Sequence, residues 1–236
     1  MQNSAVHDFQ KNGITTNGAG IFVQIQNNSV RGSGPNPHIA QNGIQLGYGA
    51  TGEVEDNALS DFVYSGEGYV ASGILIVGSH GADIEENTVG NTQGGIVTTS
   101  IPGNDADKTS INDNWIFGTV STNDGIYVCS NRNQVQGNTL HNSTQSGVNL
   151  DSSCGGGNNN TVKGNTINEA CAGVLEVTGE TGNTISNNNY FNVSNAVLIS
   201  GSDSCSPPAA SPMIQAPAAT STSGYPVEVS RFQPKP

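Results

Sequence analysis

The sequence has few basic residues. Lysine and arginine together number 7, against 19 aspartates and glutamates, which gives a formal net charge of −12. Nucleic acids and anionic membrane surfaces are bound through clusters of basic side chains, so this charge balance argues against both as partners. The chain also lacks an apolar run that approaches the roughly 18 residues of a membrane-spanning helix, and we expect no membrane span.

The first residues show neither the basic region nor the apolar region of a secretory signal peptide. Ala5, Val6 and Phe9, followed by Gly13-Ile14, are typical of the second half of a repeating unit whose first half is missing. We therefore expect a segment of a longer protein, with further coils or a domain upstream. The predicted location is secreted or at the cell surface, with the periplasm as an alternative.

Helical periodicity is also absent. No window has apolar residues at i, i+3, i+4 and i+7, which an amphipathic helix requires. Aliphatic, mostly β-branched residues occur instead at alternate positions between glycines and asparagines, as in Ile74/Ile76 and Val148/Leu150. This pattern predicts short strands joined by tight turns.

A small signature recurs seven times, in the form of an aliphatic residue, two variable residues, an asparagine, one variable residue and a second apolar residue. Its asparagines lie 29, 30, 27, 24, 27 and 23 residues apart, and a glycine followed by a β-branched residue recurs in phase. The seven asparagines are Asn28, Asn57, Asn87, Asn114, Asn138, Asn165 and Asn188. The repeat predicts a solenoid whose equivalent residues stack about 4.8 Å apart. The asparagines should form an internal ladder at one turn, where asparagine tolerates a left-handed backbone, and the glycines should mark a second turn.

These two linked marks resemble the right-handed parallel β-helix repeat family, the broad pectin-lyase-like group. The resemblance implies an all-β fold: one right-handed parallel β-helix of about seven coils over residues 1–205, with an incomplete N-terminal coil. The family contains lyases, hydrolases, epimerases and non-catalytic surface proteins, so the resemblance leaves the chemistry open. Seven of the ten prolines lie in residues 206–236, which predicts an extended tail or a partial cap there, with a flexible linker as the alternative.

The four cysteines all lie in the C-terminal half. Cys129 and Cys154 both follow a glycine-aliphatic strand in consecutive coils, so we favour a 129–154 disulfide together with 171–205. Four cysteines allow three pairings, and the sequence does not choose among Cys129, Cys154, Cys171 and Cys205. Disulfides indicate an oxidising compartment; metal binding is the alternative, but no C-x-x-C or Cys/His cluster supports it.

The residue after each ladder asparagine is expected to point outward. At the fourth coil this residue is Trp115, the only tryptophan, and Thr88 and Thr139 are expected beside it. An aromatic ring flanked by hydroxyl groups suits stacking on a sugar ring. Alternatively, the insertion at residues 100–108 folds over Trp115.

Two long insertions, at residues 32–41 and 61–72, belong to neighbouring coils and should project from the same side. They carry His38, Tyr64 and Tyr69, which are candidate ligand-binding residues because loops on a rigid scaffold commonly carry function. Surface decoration without a function is the alternative.

Five carboxylates occupy the central positions of the signature in three consecutive coils: Glu55, Asp56, Glu85, Glu86 and Asp113. Like charges stacked about 5 Å apart repel by roughly 1 kcal/mol in water, and a hard cation such as Ca²⁺ relieves that repulsion. Glu55, Glu85 and Asp113 are therefore candidate calcium ligands. A solvated acidic stripe without metal is the alternative.

Lys108 and Arg132 each stand three residues before a signature, so they should stack in adjacent coils, with His80 one position off this line. The resemblance implies a role for them, because family members that cleave acidic polysaccharides by β-elimination use a Lys or Arg base together with acid-held Ca²⁺. The family's local motifs are incomplete, however. Residues 36–38 read Asn-Pro-His where the epimerases have Asp-Pro-His, and residues 79–83 lack the Gly-His-Gly of the hydrolases.

The sequence therefore predicts a secreted or surface β-helix segment that binds polysaccharide without a complete catalytic set. An acidic glycan is expected, because two cations are placed near Trp115. The first alternative is a polysaccharide lyase or a related carbohydrate-active enzyme, acting by β-elimination, hydrolysis or epimerisation, with part of its active region upstream. The second alternative is a purely structural repeat protein.

Overall fold

The computed structural model describes residues 1–120 and 123–200. These residues form strands and turns without a helix, so the predicted all-β solenoid of about seven turns is confirmed. In the same residues there is accordingly no helix with the length and apolar character to cross a bilayer. The proline-rich tail predicted at residues 206–236 and Cys205 lie outside the described residues.

One sheet has seven strands, one from each coil, and every strand ends just before a ladder asparagine. Its strands are β3 (Phe22–Gln26), β6 (Thr51–Glu55), β9 (Asp83–Glu85), β12 (Ser110–Asn112), β15 (Gln134–Gln136), β17 (Thr161–Lys163) and β19 (Thr184–Ser186).

The other sheet has thirteen strands and is bent into two limbs. The first limb follows the asparagines and contains β1 (Ala5–Val6), β4 (Ser29–Arg31), β7 (Ala58–Phe62), β10 (Thr88–Thr92) and β13 (Trp115–Phe117). The second limb contains β2 (Asn12–Asn17), β5 (Asn42–Gly47), β8 (Ser72–Val77), β11 (Gly94–Thr99) and β14 (Ile126–Cys129). Three long strands run through both limbs: β16 (Thr139–Leu150), β18 (Thr166–Val177) and β20 (Asn189–Ser200).

Every ladder between these strands is parallel, and equivalent residues of successive coils lie in register. In the seven-stranded sheet, for example, Ile84 pairs with Ile111 and Ile111 pairs with Val135. The inward-facing aliphatic residues of the three surfaces therefore form continuous buried columns, such as Ile44, Ile74, Ile96 and Ile126 in the second limb. Burying these columns against one another is the main apolar contribution to stability.

The turn at each ladder asparagine uses a left-handed residue, but that residue is the one before the asparagine. Residues 27, 56, 86, 113, 137, 164 and 187 all have φ between 54° and 69°. This corrects the expectation that the asparagine itself takes the left-handed conformation. Even Glu86 adopts it, with φ 54°, although a left-handed backbone is unfavourable for a residue other than glycine, asparagine or aspartate.

The recurring glycines lie inside or directly before strands of the second limb and do not form a turn. Gly43, in β5, is an example: a Cβ placed on it would meet the Gly73 carbonyl oxygen at 2.6 Å and Leu59 Cδ2 at 2.7 Å. The glycine is therefore required by close approach of the neighbouring coil and of a core side chain, which the sequence pattern alone does not reveal.

Candidate functional site

The turn that starts each strand of the first limb is built around a ladder asparagine. Asn114 Oδ1 accepts hydrogen bonds from the backbone N and from Nδ2 of Asn87, each at 3.0 Å. Its own Nδ2 donates to the Ile84 carbonyl oxygen and to Asn138 Oδ1. The same backbone-to-amide bond links all seven predicted asparagines from coil to coil. This ladder fixes where each first-limb strand begins and hence which side chain points outward.

Trp115 opens β13 and projects from the outer face of the first limb. Thr88 and Thr139 lie beside it in register, on the strands before and after. The Trp115 side chain is 39% exposed. The insertion at residues 100–108 does not cover it, because Ile101 packs against the second limb instead.

Phe117 supplies a second ring on the same face. The centroids of Trp115 and Phe117 are 5.0 Å apart and their planes are tilted by 37°. Phe117 lies over Gly90, its register partner on β10, where any Cβ would overlap the ring. Trp115 and Phe117 therefore form one surface, which we call the aromatic platform. The sequence analysis missed Phe117, and the only signal for it is a bulky residue paired with a glycine in the preceding coil.

The described first-limb strands carry few charged side chains on the outer face, and these form two ion pairs. Arg31 Nε lies 2.7 Å from Asp61 Oδ2, and Asn91 Nδ2 donates to Asp61 Oδ1 at 2.6 Å. His141, the register partner of Phe117, has its Nδ1 3.4 Å from Glu169 Oε2. The sequence analysis singled out none of these four charged residues.

The predicted stacking of Lys108 and Arg132 is present, but at a different place in the coil from Trp115. Lys108 N donates to the Asn131 carbonyl oxygen and Arg132 N to the Asn158 carbonyl oxygen, so both residues occupy the same turn in adjacent coils. That turn precedes the seven-stranded sheet, whereas Trp115 follows that sheet. The two cations are thus one strand away from Trp115, and β12 and the asparagine turn separate them from the face that carries the Trp115 ring.

The side chains at this corner are already engaged. Arg132 Nη2 lies 2.5 Å from Asp107 Oδ2, and the Asp107 side chain is only 4% exposed. His80 Nδ1 lies 2.5 Å from Asp105 Oδ1, and this hydrogen bond lowers the pKa of Asp105. Arg132 and His80 therefore have structural partners.

A second asparagine ladder supports this corner in the last three coils. Asn133 Oδ1 accepts from Thr109 N at 2.9 Å, Asn160 Oδ1 accepts from Asn133 N, and Asn183 Oδ1 accepts from Asn160 N. This second ladder was not predicted, although an asparagine two residues before the middle of each of these short strands is a visible signal.

The proposed calcium ligands are only partly brought together. Glu55 and Glu85 are register partners, but the next residue in that row is Asn112, whose Nδ2 donates to Glu85 Oε1 at 3.0 Å. Asp113 lies one position later, in the left-handed turn, with Oδ1 against Gly137 of the following coil. Within residues 1–120 and 123–200, no group of three His, Cys, Asp or Glu side chains is arranged to hold a metal ion. The trio thus does not form a ligand set.

A different carboxylate shows the repulsion expected in this acidic region. Asp83, on the same face of the seven-stranded sheet, is the register partner of Glu53. Burial raises the pKa of Asp83, and the nearby Glu85 carboxylate raises it further. Its Oδ1 is buried without a hydrogen-bond partner in the described structure.

The two long insertions lie side by side, as expected, joined by a parallel bridge between Asn36 and Tyr64. Tyr64 is only 9% exposed and belongs to the hydrophobic core, so it is not the surface residue that the sequence suggested. Tyr69 is 37% exposed, with its ring centroid 6.2 Å from that of Tyr64. His38 is exposed, and its backbone N donates to Asn36 Oδ1.

Cys129 and Cys154 form a disulfide, with their Cα atoms 5.9 Å apart, as in the favoured pairing. Cys171 is also disulfide-bonded, and Cys205 lies outside the described residues.

A polar cluster that the sequence analysis did not anticipate adjoins the disulfide. The Tyr127 hydroxyl donates to Asp151 Oδ2 at 2.6 Å, and Ser153 donates through both its backbone N and its hydroxyl to the same carboxylate. Burial and the Asp151 charge raise the pKa of Tyr127, so this hydroxyl remains a donor. The cluster anchors the insertion at residues 152–160 to the second limb.

Comparison with known proteins agrees with this architecture. A family described as a right-handed β-helix region matches residues 12–190, a span that contains all seven ladder asparagines. No curated protein matches the chain. On the strength of that match, which covers most of the sequence, the chain belongs to the right-handed β-helix family.

Proposed function

We propose that the protein binds polysaccharide on the outer face of the first limb, with the aromatic platform as the central contact. The observation that carries this proposal is the exposed Trp115 ring, held against Phe117 on a regular parallel sheet. Aromatic rings stack on flat, partly apolar ligands, and an exposed tryptophan that adjoins a half-buried phenylalanine offers contiguous apolar surface for such stacking.

The surroundings of the platform suit a sugar polymer. Thr88, Thr139 and Thr166 lie in the same row as Trp115, Thr88 on the strand before it and the other two on the two strands after it. Successive strands of the sheet lie about 4.8 Å apart, so each coil repeats the surface at a fixed distance. Such a face offers polar contacts to several consecutive sugars on either side of the rings.

Binding without catalysis is favoured by the positions of the catalytic candidates. A general base must reach the proton that it removes from the bound substrate. Lys108, Arg132 and His80 all lie at or next to the corner before the seven-stranded sheet, and Arg132 is paired with the buried Asp107. They are therefore not placed to act on a chain bound over Trp115.

We also propose that the protein acts outside the cytoplasm, in an oxidising compartment. The Cys129–Cys154 disulfide supports this location, because such bonds do not persist in a reducing cytosol. Rapid thiol alkylation followed by mass spectrometry, on protein taken from its native cells, should find Cys129 and Cys154 unlabelled. Alkylated cysteines at both positions would contradict the proposed location.

The function is tested by a glycan array followed by calorimetric titration with the glycans that bind. Trp115→Ala should weaken binding by about 1–3 kcal/mol, by analogy with the stacking of other flat ligands on aromatic side chains. Phe22→Ala is the matched control, because Phe22 is a 63% exposed aromatic residue on the other sheet.

Unchanged binding by Trp115→Ala would remove the platform from the site, and Tyr69→Ala would then test the insertion loops. If the array shows no glycan bound, the structural-repeat alternative becomes the better account. Because Trp115 is the only tryptophan, its fluorescence also reports directly on occupation of the platform.

A further inference from the structure

We infer that the glycan recognised by the aromatic platform is electrically neutral and not a polyuronate. This inference rests on the proposed function and names the substrate class of the same site. It replaces the expectation of an acidic glycan, which counted Lys108 and Arg132, one strand away from Trp115, as part of the binding site.

The first argument is the inventory of charge on the binding face. Across the described first-limb strands and the first halves of the three long strands, the charged side chains are Arg31, Asp61, His141 and Glu169. Arg31 is held by Asp61 at 2.7 Å, and His141 faces Glu169 at 3.4 Å. Arg31 and His141 thus each have a carboxylate partner on this face.

Binding a uronate through Arg31 would therefore require its carboxylate to compete with Asp61. The Asp61 carboxylate is fixed on both oxygens, by Arg31 Nε and by Asn91 Nδ2, and its side chain is 20% exposed. A second carboxylate brought to the same guanidinium would lie close to Asp61 and be repelled by it. The ion pair consequently neutralises Arg31, the one permanent cation on the described first-limb strands and the first halves of the long strands.

The second argument is the charge of the whole chain. A protein with a net charge of −12 repels a polyanion. Charged partners normally associate through complementary electrostatic potentials. A neutral polysaccharide meets no such barrier. Its hydroxyl groups find uncharged partners in Thr88, Thr139 and Thr166, on successive or nearby strands around the rings.

The test compares ligands that differ in charge but have similar length. Neutral β-1,4-linked hexasaccharides of glucose, mannose and xylose are titrated against hexagalacturonate and hexamannuronate, with wild-type protein and Trp115→Ala, in EDTA and in millimolar Ca²⁺. At least one neutral oligomer should bind wild type at least tenfold more tightly than either uronate in both buffers, and lose that advantage in Trp115→Ala.

Uronate binding that equals or exceeds neutral binding and depends on Trp115 would overturn the inference while leaving the proposed function intact. Uronate binding that appears only with Ca²⁺ would overturn it as well, because the face would then be recruiting its cation. Failure of both ligand classes would count against the proposed function itself, and the inference would fall with it.

A variant tests whether the ion pairing is the cause. Asp61→Asn frees the Arg31 guanidinium and preserves the local backbone, because Asn91 occupies the equivalent left-handed position in the next coil, with φ 52° against 67° for Asp61. This variant should gain at least threefold in hexagalacturonate affinity at low ionic strength, with neutral binding unchanged. If freeing Arg31 brings no gain, charge pairing does not exclude uronates and the inference is wrong.

Discussion

The Phe117 ring lies across the backbone of Gly90, its register partner in the preceding coil, closer than a Cβ at Gly90 would permit. The absence of a side chain at Gly90 therefore makes room for the Phe117 ring of the next coil. Trp115 packs against Phe117, so the geometry of the aromatic platform depends on the buried Gly90.

Gly90→Ala should displace Phe117 and cost about 1–3 kcal/mol of stability, the usual penalty for overfilling a packed site. Trp115 emission should change, and glycan binding should weaken with it. Denaturant unfolding of a double-mutant cycle checks the cause, because in a Phe117→Ala background the Gly90→Ala penalty should largely disappear. Equal penalties in the two backgrounds would mean that Phe117 does not rest on Gly90.

Asn138→Ala should lower the free energy of unfolding by about 1–3 kcal/mol, because buried partners lose their hydrogen bonds. The side chain bonds Asn114 and Asn165 through its amide and also reaches the Ile111 carbonyl oxygen. Asn189→Ala, at an exposed position, is the control and should change stability by less than about 0.5 kcal/mol. A urea-unfolding difference below about 0.3 kcal/mol for Asn138→Ala would exclude an energetic role for the ladder.

Asp83→Asn should stabilise the protein at neutral pH. The folded-state pKa of Asp83 lies above its ordinary value of 3.8, chiefly because of burial, so the folded state binds more protons than the unfolded state just above pH 3.8. Wild-type stability therefore falls as the pH rises through this window, and the ionised carboxylate remains unfavourable at higher pH. Asp83→Asn has no carboxylate at this position, so its stability does not fall in this way.

The measurement is the melting temperature from pH 3 to pH 8. The advantage of Asp83→Asn should be present at pH 7 and should shrink as the pH falls towards 3.8. Glu86→Gln removes one negative charge from an exposed side chain of the same coil and is the matched control. An equal gain in the control would attribute the effect to net charge and not to the burial of Asp83.

Arg132→Ala should destabilise the protein by about 1–2 kcal/mol, because it leaves the buried Asp107 carboxylate without its charged partner. The expected loss of stability is small because the Arg132 side chain is 56% exposed and its charge is screened by solvent. Lys108→Ala is the comparison, since Lys108 has nearly the same left-handed backbone, with φ 60° against 57°, and forms no ion pair within the described residues. Equal losses in the two variants, measured by chemical unfolding, would contradict a specific role for the Arg132–Asp107 pair.

The features of the fold that repeat from coil to coil could be predicted from the sequence. The spacing of Asn87, Asn114 and Asn138 predicts the solenoid because each coil must return an asparagine to the same turn. The stacking of Lys108 and Arg132 in adjacent coils follows from the same residue spacing. This spacing does not supply the direction of the chain at each corner, so it does not show which side chains share a face with Trp115.

The aromatic platform could not be predicted, because it depends on a contact between two coils that no local sequence pattern reveals. Phe117 and Gly90 are remote in sequence, and neither is unusual in its own segment. Tyr64 shows the converse, because a tyrosine in a long insertion resembles a surface residue until the neighbouring insertion closes against it. In both cases the outcome is set by contacts between coils, which depend on insertion length as much as on residue type.

The Cys129–Cys154 disulfide has a mechanical consequence. The two cysteines lie in adjacent coils, so the bond closes a ring around a single turn of the solenoid. A chain pulled from its N-terminal end would peel away coil by coil, since each coil contacts mainly its neighbours. At Cys129 the force would pass through the bond directly to Cys154, so the residues between the two cysteines cannot lengthen while the ring is closed. The bond thus removes about one coil from the length to which the rod can be extended, and reduction of this one covalent link would restore that coil.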